Sequence, residues 1–455
     1  MRDRLADALS RAKADYAEVR FSIDDSTSVM YRGPEPEQVR SARLSGGVVR
    51  ACVRGGWGSS NFDSLDDLDH HVREACECAG LVGTTATQIA DAPVAPPSEH
   101  RAALLRDFRG IAVTEKIALV AAYNDILLRS VPGVETSFAG YSEVFRTVAF
   151  ASSRGASFLE ERPRVDLFLG AVARDGSLVQ QCFDGRASLQ TYDAAVGLEA
   201  LAEEVARRAV ALTKAPPCPG GTHTAVLDNR LAGVFAHEAF GHMSEADFIY
   251  ENPQMRELMV LGREMGGPEL NIVDDGSMPD AQGTHPFDDE GTATGKTYLI
   301  RNGLLAGRLH SLETAAKMGE PATGNARAVR QSDRPLVRMT NTYIEAGTAT
   351  VQELIAGIDK GIYACDALGG QTMMEQFTFS AGYGYRIENG LLGEMVRDIV
   401  LTGNLFQTLH AIDGIADDLV ITNGPGGCGK GGQAPLPVSF GSPHIRIRDV
   451  VIGGR

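Results

Sequence analysis

Residues 215–221, APPCPGG, constrain the fold of this 455-residue chain more than any other segment. Three prolines remove the N–H groups that helix and sheet interiors need, and two glycines favour a sharp bend. No helix or strand is expected to run through them. The chain is therefore expected to divide into residues 1–214 and 222–455, each long enough for its own core.

The first half reads as α+β, with helices lying on an antiparallel sheet. A charged amphipathic helix opens the chain, followed by strand-like YAEVRFSIDD, TSVMYRG and GGVVRACVRGGW. A helix LDDLDHHVREACECAGL is expected behind a Ser64 cap, and TEKIALVAAYNDILLR behind Thr114. Residues 83–100, rich in proline and small side chains, read as an excursion between them. Strands are expected over 134–190, turning at Asp175-Gly176, before a third helix, AAVGLEALAEEVARRAVALTK. The second half opens with a strand, TAVLDN, and a helix. It then turns β-rich, with hairpins at Asn302-Gly303 and Asn389-Gly390 and a terminal strand in PHIRIRDVVIGG.

The net charge of −16 leaves no basic excess for phosphates, so nucleic acid is disfavoured as a partner. No run of eighteen apolar residues is present to span a membrane. The charged N-terminus carries no apolar secretion core. Seven scattered cysteines then read as reduced thiols in a cytoplasmic protein. Cys76 and Cys78 point to different faces of their helix.

The chemistry concentrates in HEAFGH, residues 237–242. The common zinc-hydrolase string is H-E-x-x-H, with its histidines four apart on one helix face. Here they are five apart, which in a regular helix leaves them about 140° apart around the axis. Two distortions would bring them together: a π-bulge, or a helix that ends at Gly241 with His242 projecting from the bend. Glu238 follows the first histidine, where zinc hydrolases keep the carboxylate that takes a proton from activated water.

Downstream, GPGGCGKGGQAP spells the opening of a phosphate-binding loop. Residue 431 is glycine instead of Ser or Thr, and the prolines that follow cannot open the required helix. Cys428 reads instead as a thiol on a flexible glycine loop, with Lys430 near enough to favour the thiolate. Two histidines and this cysteine would leave a fourth tetrahedral position open, as catalytic zinc sites do.

Taken together, HEAFGHMSEADF, DDEGTATGKTYLIRNGLLAGRLH, ATGNARA, RMTNTYIEAG, GIYACDALGGQ and GPGGCGKGGQ resemble, in that order, the TldD/PmbA (TldE) metallopeptidases. That family is built on H-E-x-x-x-H. The resemblance implies metal ligands at His237, His242 and Cys428, a catalytic Glu238, and one divalent ion, Zn2+ being the expected one. It implies an α+β N-terminal domain, a β-rich metallopeptidase domain, and unfolded peptides as substrates in a dimer-enclosed chamber. The partner would be a second copy or a metal-free TldE-like relative. The complete ligand set places the chain on the TldD-type side. A non-catalytic scaffold subunit and a metallohydrolase of non-peptide substrates are the rival readings. His285, His310, His410 and His444 are assigned no metal role.

Overall fold

Strand parity organises the N-terminal half of the computed structural model, which describes residues 1–453. Its strands are β1 (Tyr16–Arg32), β2 (Glu35–Val53), β3 (Gly56–Phe62), β4 (Ser98–His100), β5 (Val134–Ser152), β6 (Ser157–Asp175) and β7 (Leu178–Ser188). They form one sheet in the order β3-β2-β1-β5-β6-β4, with β7 also on β6, and all pairings are antiparallel except β4–β6. Side chains alternate between the two faces of a strand. Odd-numbered residues such as Ala17, Val19, Val29, Tyr141, Phe145, Ala149 and Leu167 are apolar and buried. Above them lie four helices, α1 (Arg2–Leu9), α2 (Leu68–Val82), α3 (Val113–Arg129) and α4 (Glu199–Leu212).

The even-numbered face carries Glu18, Arg20, Asp24, Arg50 and Arg164, all buried as well. Buried charges persist only when paired, and here the second half supplies the partners. Arg20 lies 3.3 Å from Asp289, Arg162 3.0 Å from Asp289, and Arg50 3.4 Å from Glu290. Arg164 donates to the Gly426 carbonyl at 2.6 Å and Arg146 to that of Val329 at 2.8 Å. One sheet thus has an apolar face under its own helices and a charged face against the C-terminal half.

Several local expectations are corrected. The two strand-like pieces between residues 16 and 33 are one strand. Its polar middle stays extended because it pairs with β2 on one side and β5 on the other, Asp25 meeting Arg43 and Asp24 meeting Arg146. The second helix starts at Leu68 behind Asp67, while Ser64 donates to Asp66 in the preceding loop. The third begins at Val113, so Thr114 lies within its first turn.

In residues 215–221 the chain leaves α4 and enters strand β8 (Gly221–Leu227), with the Cys218 N–H donating to the Arg397 carbonyl. β8 belongs to a sheet in the order 360–373, β8, 445–453, 400–404, 376–388, 391–396, to which 412–415 adds on strand 445–453. A second sheet runs 304–305, 296–301, 272–275, 341–344, 439–442, 420–422. Both Asn-Gly turns form as expected. Positive φ at Asn302, Gly303, Asn389 and Gly390 matches the type I′ hairpin. The helix that carries HEAFGH packs between the two sheets, against strands 360–373 and 439–442. No described helix is long and apolar enough to cross a membrane.

Candidate metal centre

Strand β8 hands over to the motif helix at Asp228, whose Oδ1 accepts from the Leu231 N–H at 2.8 Å and caps α5 (Asn229–Phe235). The helix then widens into a π turn over Ala236–Gly241 and tightens into a 3₁₀ turn over His242–Ser244. Of the two expected distortions, the π turn is the one present. An i→i+5 turn carries residues five apart to the same side, and the His237 and His242 rings meet with centroids 5.3 Å apart.

Packing explains why the turn sits here. Leu231, Phe235, Ala236, Ala239 and Phe240 are all buried in the C-terminal core. Each such phenylalanine contributes about 2–3 kcal/mol by burial. Gly241 lies against Met339 so closely that a Cβ would stand 2.0 Å from its sulfur. A larger residue at this position would force the buried Met339 side chain to move.

Cys428 does not sit on a flexible loop. It is buried and begins a short strand, Cys428–Lys430, that pairs with Gln433–Leu436, Cys428 opposite Leu436. Gly427 makes that pairing possible, since a Cβ there would stand 2.2 Å from the Leu436 carbonyl oxygen. The hairpin brings Cys428 Sγ to 3.3 Å from His242 Nε2. Donor atoms of His237, His242 and Cys428 all lie within 4.8 Å of one another, the one such grouping among the described residues. Glu238 is a third exposed, with Oε2 3.7 Å from His242 Nε2.

Burial alone would push the Cys428 thiol up, but the His237 and His242 imidazoles outweigh it and bring it down to about 4. Burial likewise lowers His242, yet Glu245 and Cys428 raise it to about 11. The expected help from Lys430 is corrected. Its ammonium is held by Asp247, Glu245 and the Val337 carbonyl, and the histidines stabilise the thiolate.

Glu245 is fully buried and its Oε2 lies 3.0 Å from His242 Nδ1. The motif alone does not single it out, although a carboxylate three residues after a histidine is a signal. The other histidines have structural partners: His285 with Glu160, His310 with Glu320 and Thr314, His444 with Asp418 and Tyr363. His410 ends a short helix.

The donor set suits a borderline metal ion: two imidazoles and a thiol favoured as thiolate, three ligands where a tetrahedral ion takes four. His237 Nδ1 is buried without a hydrogen-bond partner, so that imidazole has unused donor capacity.

Sequence models of the PmbA/TldA metallopeptidases match the chain in three parts: domain 1 over residues 17–79, the central domain over 106–213 and the C-terminal domain over 220–454. A metalloprotease of Synechocystis sp. is 41% identical over 446 residues, covering 98% of this chain and 96% of its own. A zinc metalloprotease TldD homolog of Saccharolobus solfataricus is 32% identical over 317 residues, covering 69% and 70%. The crystal structure of TldE from Thermococcus kodakarensis superposes with a TM-score of 0.76 at 17% identity, covering 99% of this chain and 100% of that one, a likeness of fold. Matched along nearly its whole length, the chain belongs to the PmbA/TldD metallopeptidase family.

Proposed function

We propose that this chain is a zinc-dependent peptidase acting on unfolded peptides, with His237, His242 and Cys428 as metal ligands and Glu238 as general base. The observation that carries the reading is the convergence of those three donors within 4.8 Å, with the Glu238 carboxylate 3.7 Å from one of them. Zinc is favoured by the His₂Cys set and by the printed name of the Saccharolobus relative. When bound, the ion would polarise the scissile carbonyl and make water a stronger acid. Glu238, partly open to solvent, takes the proton of the attacking water on a carboxylate oxygen and returns it to the leaving amine. His237 and Cys428 are buried, so most of the donor set is kept from bulk water.

A space that could take a peptide lies beside the cysteine hairpin, and none of His237, Glu238, His242 and Cys428 lines it. A cavity of about 670 Å³ lies between the charged face of the N-terminal sheet and that hairpin. Met30, Phe138, Val144 and Arg164 line one wall, Gly426 and Leu436 the other. An extended peptide would find apolar surface there. In this reading residues 1–214 and 222–455 are the two domains. A second subunit, either a copy or a metal-free TldE-like relative, closes the chamber in the cytoplasm.

Glu238→Gln keeps the donor set and removes the proton acceptor. It is expected to retain metal and to cleave an unfolded peptide at least about 100-fold more slowly, the usual range for a lost general base. Cleavage at the wild-type rate by the metal-loaded variant would refute the role of Glu238.

A further inference from the structure

We propose that Glu245 and Lys430 are the positioning pair of this centre, one carboxylate oxygen holding both the second histidine and the cysteine hairpin in register. The inference rests on the metallopeptidase reading and adds residues to it.

Glu245 Oε2 lies 3.0 Å from His242 Nδ1 and 3.0 Å from Lys430 Nζ. The Glu245 side chain has no exposed surface, and that of Lys430 is only 8% exposed. A buried carboxylate is expensive to keep, and the other oxygen of this one, Oε1, has no partner at all. Packing alone would favour an apolar side chain at such a position. The carboxylate therefore has work that an apolar group cannot do.

That work follows from its contacts. An acceptor at Nδ1 keeps a ring hydrogen there and leaves Nε2 as the nitrogen turned toward Cys428 Sγ, at 3.3 Å. The backbone that carries Glu245 is held in place. On either side of it, Leu309 donates to the Ser244 carbonyl at 2.8 Å and Ala246 donates to the Leu309 carbonyl at 3.0 Å. Lys430 is fixed just as firmly. It donates to both oxygens of Asp247 at 2.7 and 2.8 Å and to the Val337 carbonyl at 2.8 Å, and it lies 4.3 Å from the centre of the Phe248 ring. Cys428 stands two residues before it on the same short strand. His242 and Cys428, 186 residues apart in sequence, are thus linked through the buried Glu245–Lys430 pair, which Asp247 braces from the other side of the ammonium.

The test measures zinc affinity by chelator competition on metal-free protein, and the visible spectrum of the cobalt-substituted chain, for wild type, Glu245→Gln, Lys430→Met and the double variant. Each single variant is expected to bind zinc 10- to 100-fold more weakly, as loss of outer partners of a metal ligand does. The double variant should lose less than the product of the two, because both act through one contact. The cobalt bands should shift in Glu245→Gln, where the orientation of His242 is altered. Folded variants, judged by circular dichroism, that bind zinc within twofold of wild type would overturn the proposal. So would failure of both single variants to fold, which would make the pair structural. Absence of metal binding by the wild type would instead sink the metallopeptidase reading itself.

Discussion

Cys428 and Glu290 are both buried, yet their protons are held in opposite senses. Two imidazoles bring the Cys428 thiol down to about 4 against the effect of burial. Glu290 is raised to about 7, first by burial and then by the neighbouring Glu18, with Arg50 opposing. Between pH 4.5 and 7 the folded chain therefore holds a proton at Glu290 that the unfolded chain has released. The stability this contributes is complete below pH 4.5 and is lost as the pH rises through 7. Glu290→Gln mimics the protonated side chain. Thermal unfolding should show its loss of stability from pH 5 to pH 7.5 reduced, relative to wild type, by on the order of 1 kcal/mol. An unchanged pH dependence would show that Glu290 titrates normally. At this scale residue type singles out His237, Glu238, His242 and Cys428 as candidates, and the fold brings donor atoms of the two histidines and the cysteine within 4.8 Å of one another. The sequence misassigns Lys430 to the thiolate and offers only a spacing signal for Glu245, because the contact between these two joins segments far apart in the chain.

The element that decides the geometry of the centre is the π turn at Ala236–Gly241. Its five-residue histidine spacing was legible as a distortion of a helix, because a regular helix cannot place both rings together. Which distortion forms depends on tertiary packing, here the seat of Gly241 on the buried Met339. Gly241→Ala puts a methyl group into that contact. It should cost about 1–3 kcal/mol, the usual range for overpacking a core, and weaken metal binding as His242 is displaced. Denaturant unfolding and metal titration check both effects, and a variant with wild-type stability and affinity would contradict the packing argument. The Asn-Gly hairpins were readable because turn chemistry is local. The cysteine segment was misread as a flexible loop because its glycines serve close strand pairing, as Gly427 does against Leu436. The polar stretch near Asp24 and Asp25 hid a continuous strand for a similar reason: its partners lie on other strands.

Across the whole molecule, the N-terminal sheet turns its charged face to the C-terminal half, and the cysteine hairpin closes one side of the cavity between them. The division near residues 215–221 was an expectation from proline and glycine alone. How the two halves meet was not legible, since alternating charge on a strand reads as a solvent face until its ion partners are found 120 or more residues away. In the function proposed above, the chain cleaves unfolded peptides with an ion held by His237, His242 and Cys428. The most direct measurement is mass spectrometry of casein, an unstructured protein, after incubation with the chain, alone and with a co-expressed TldE-like relative. It compares wild type, wild type in chelator, the same sample resupplied with zinc, and Cys428→Ala. Cleavage by wild type that stops on chelation, returns with zinc and is absent from Cys428→Ala is the predicted result. Cleavage that persists in chelator, or in the Cys428→Ala variant, would contradict the account.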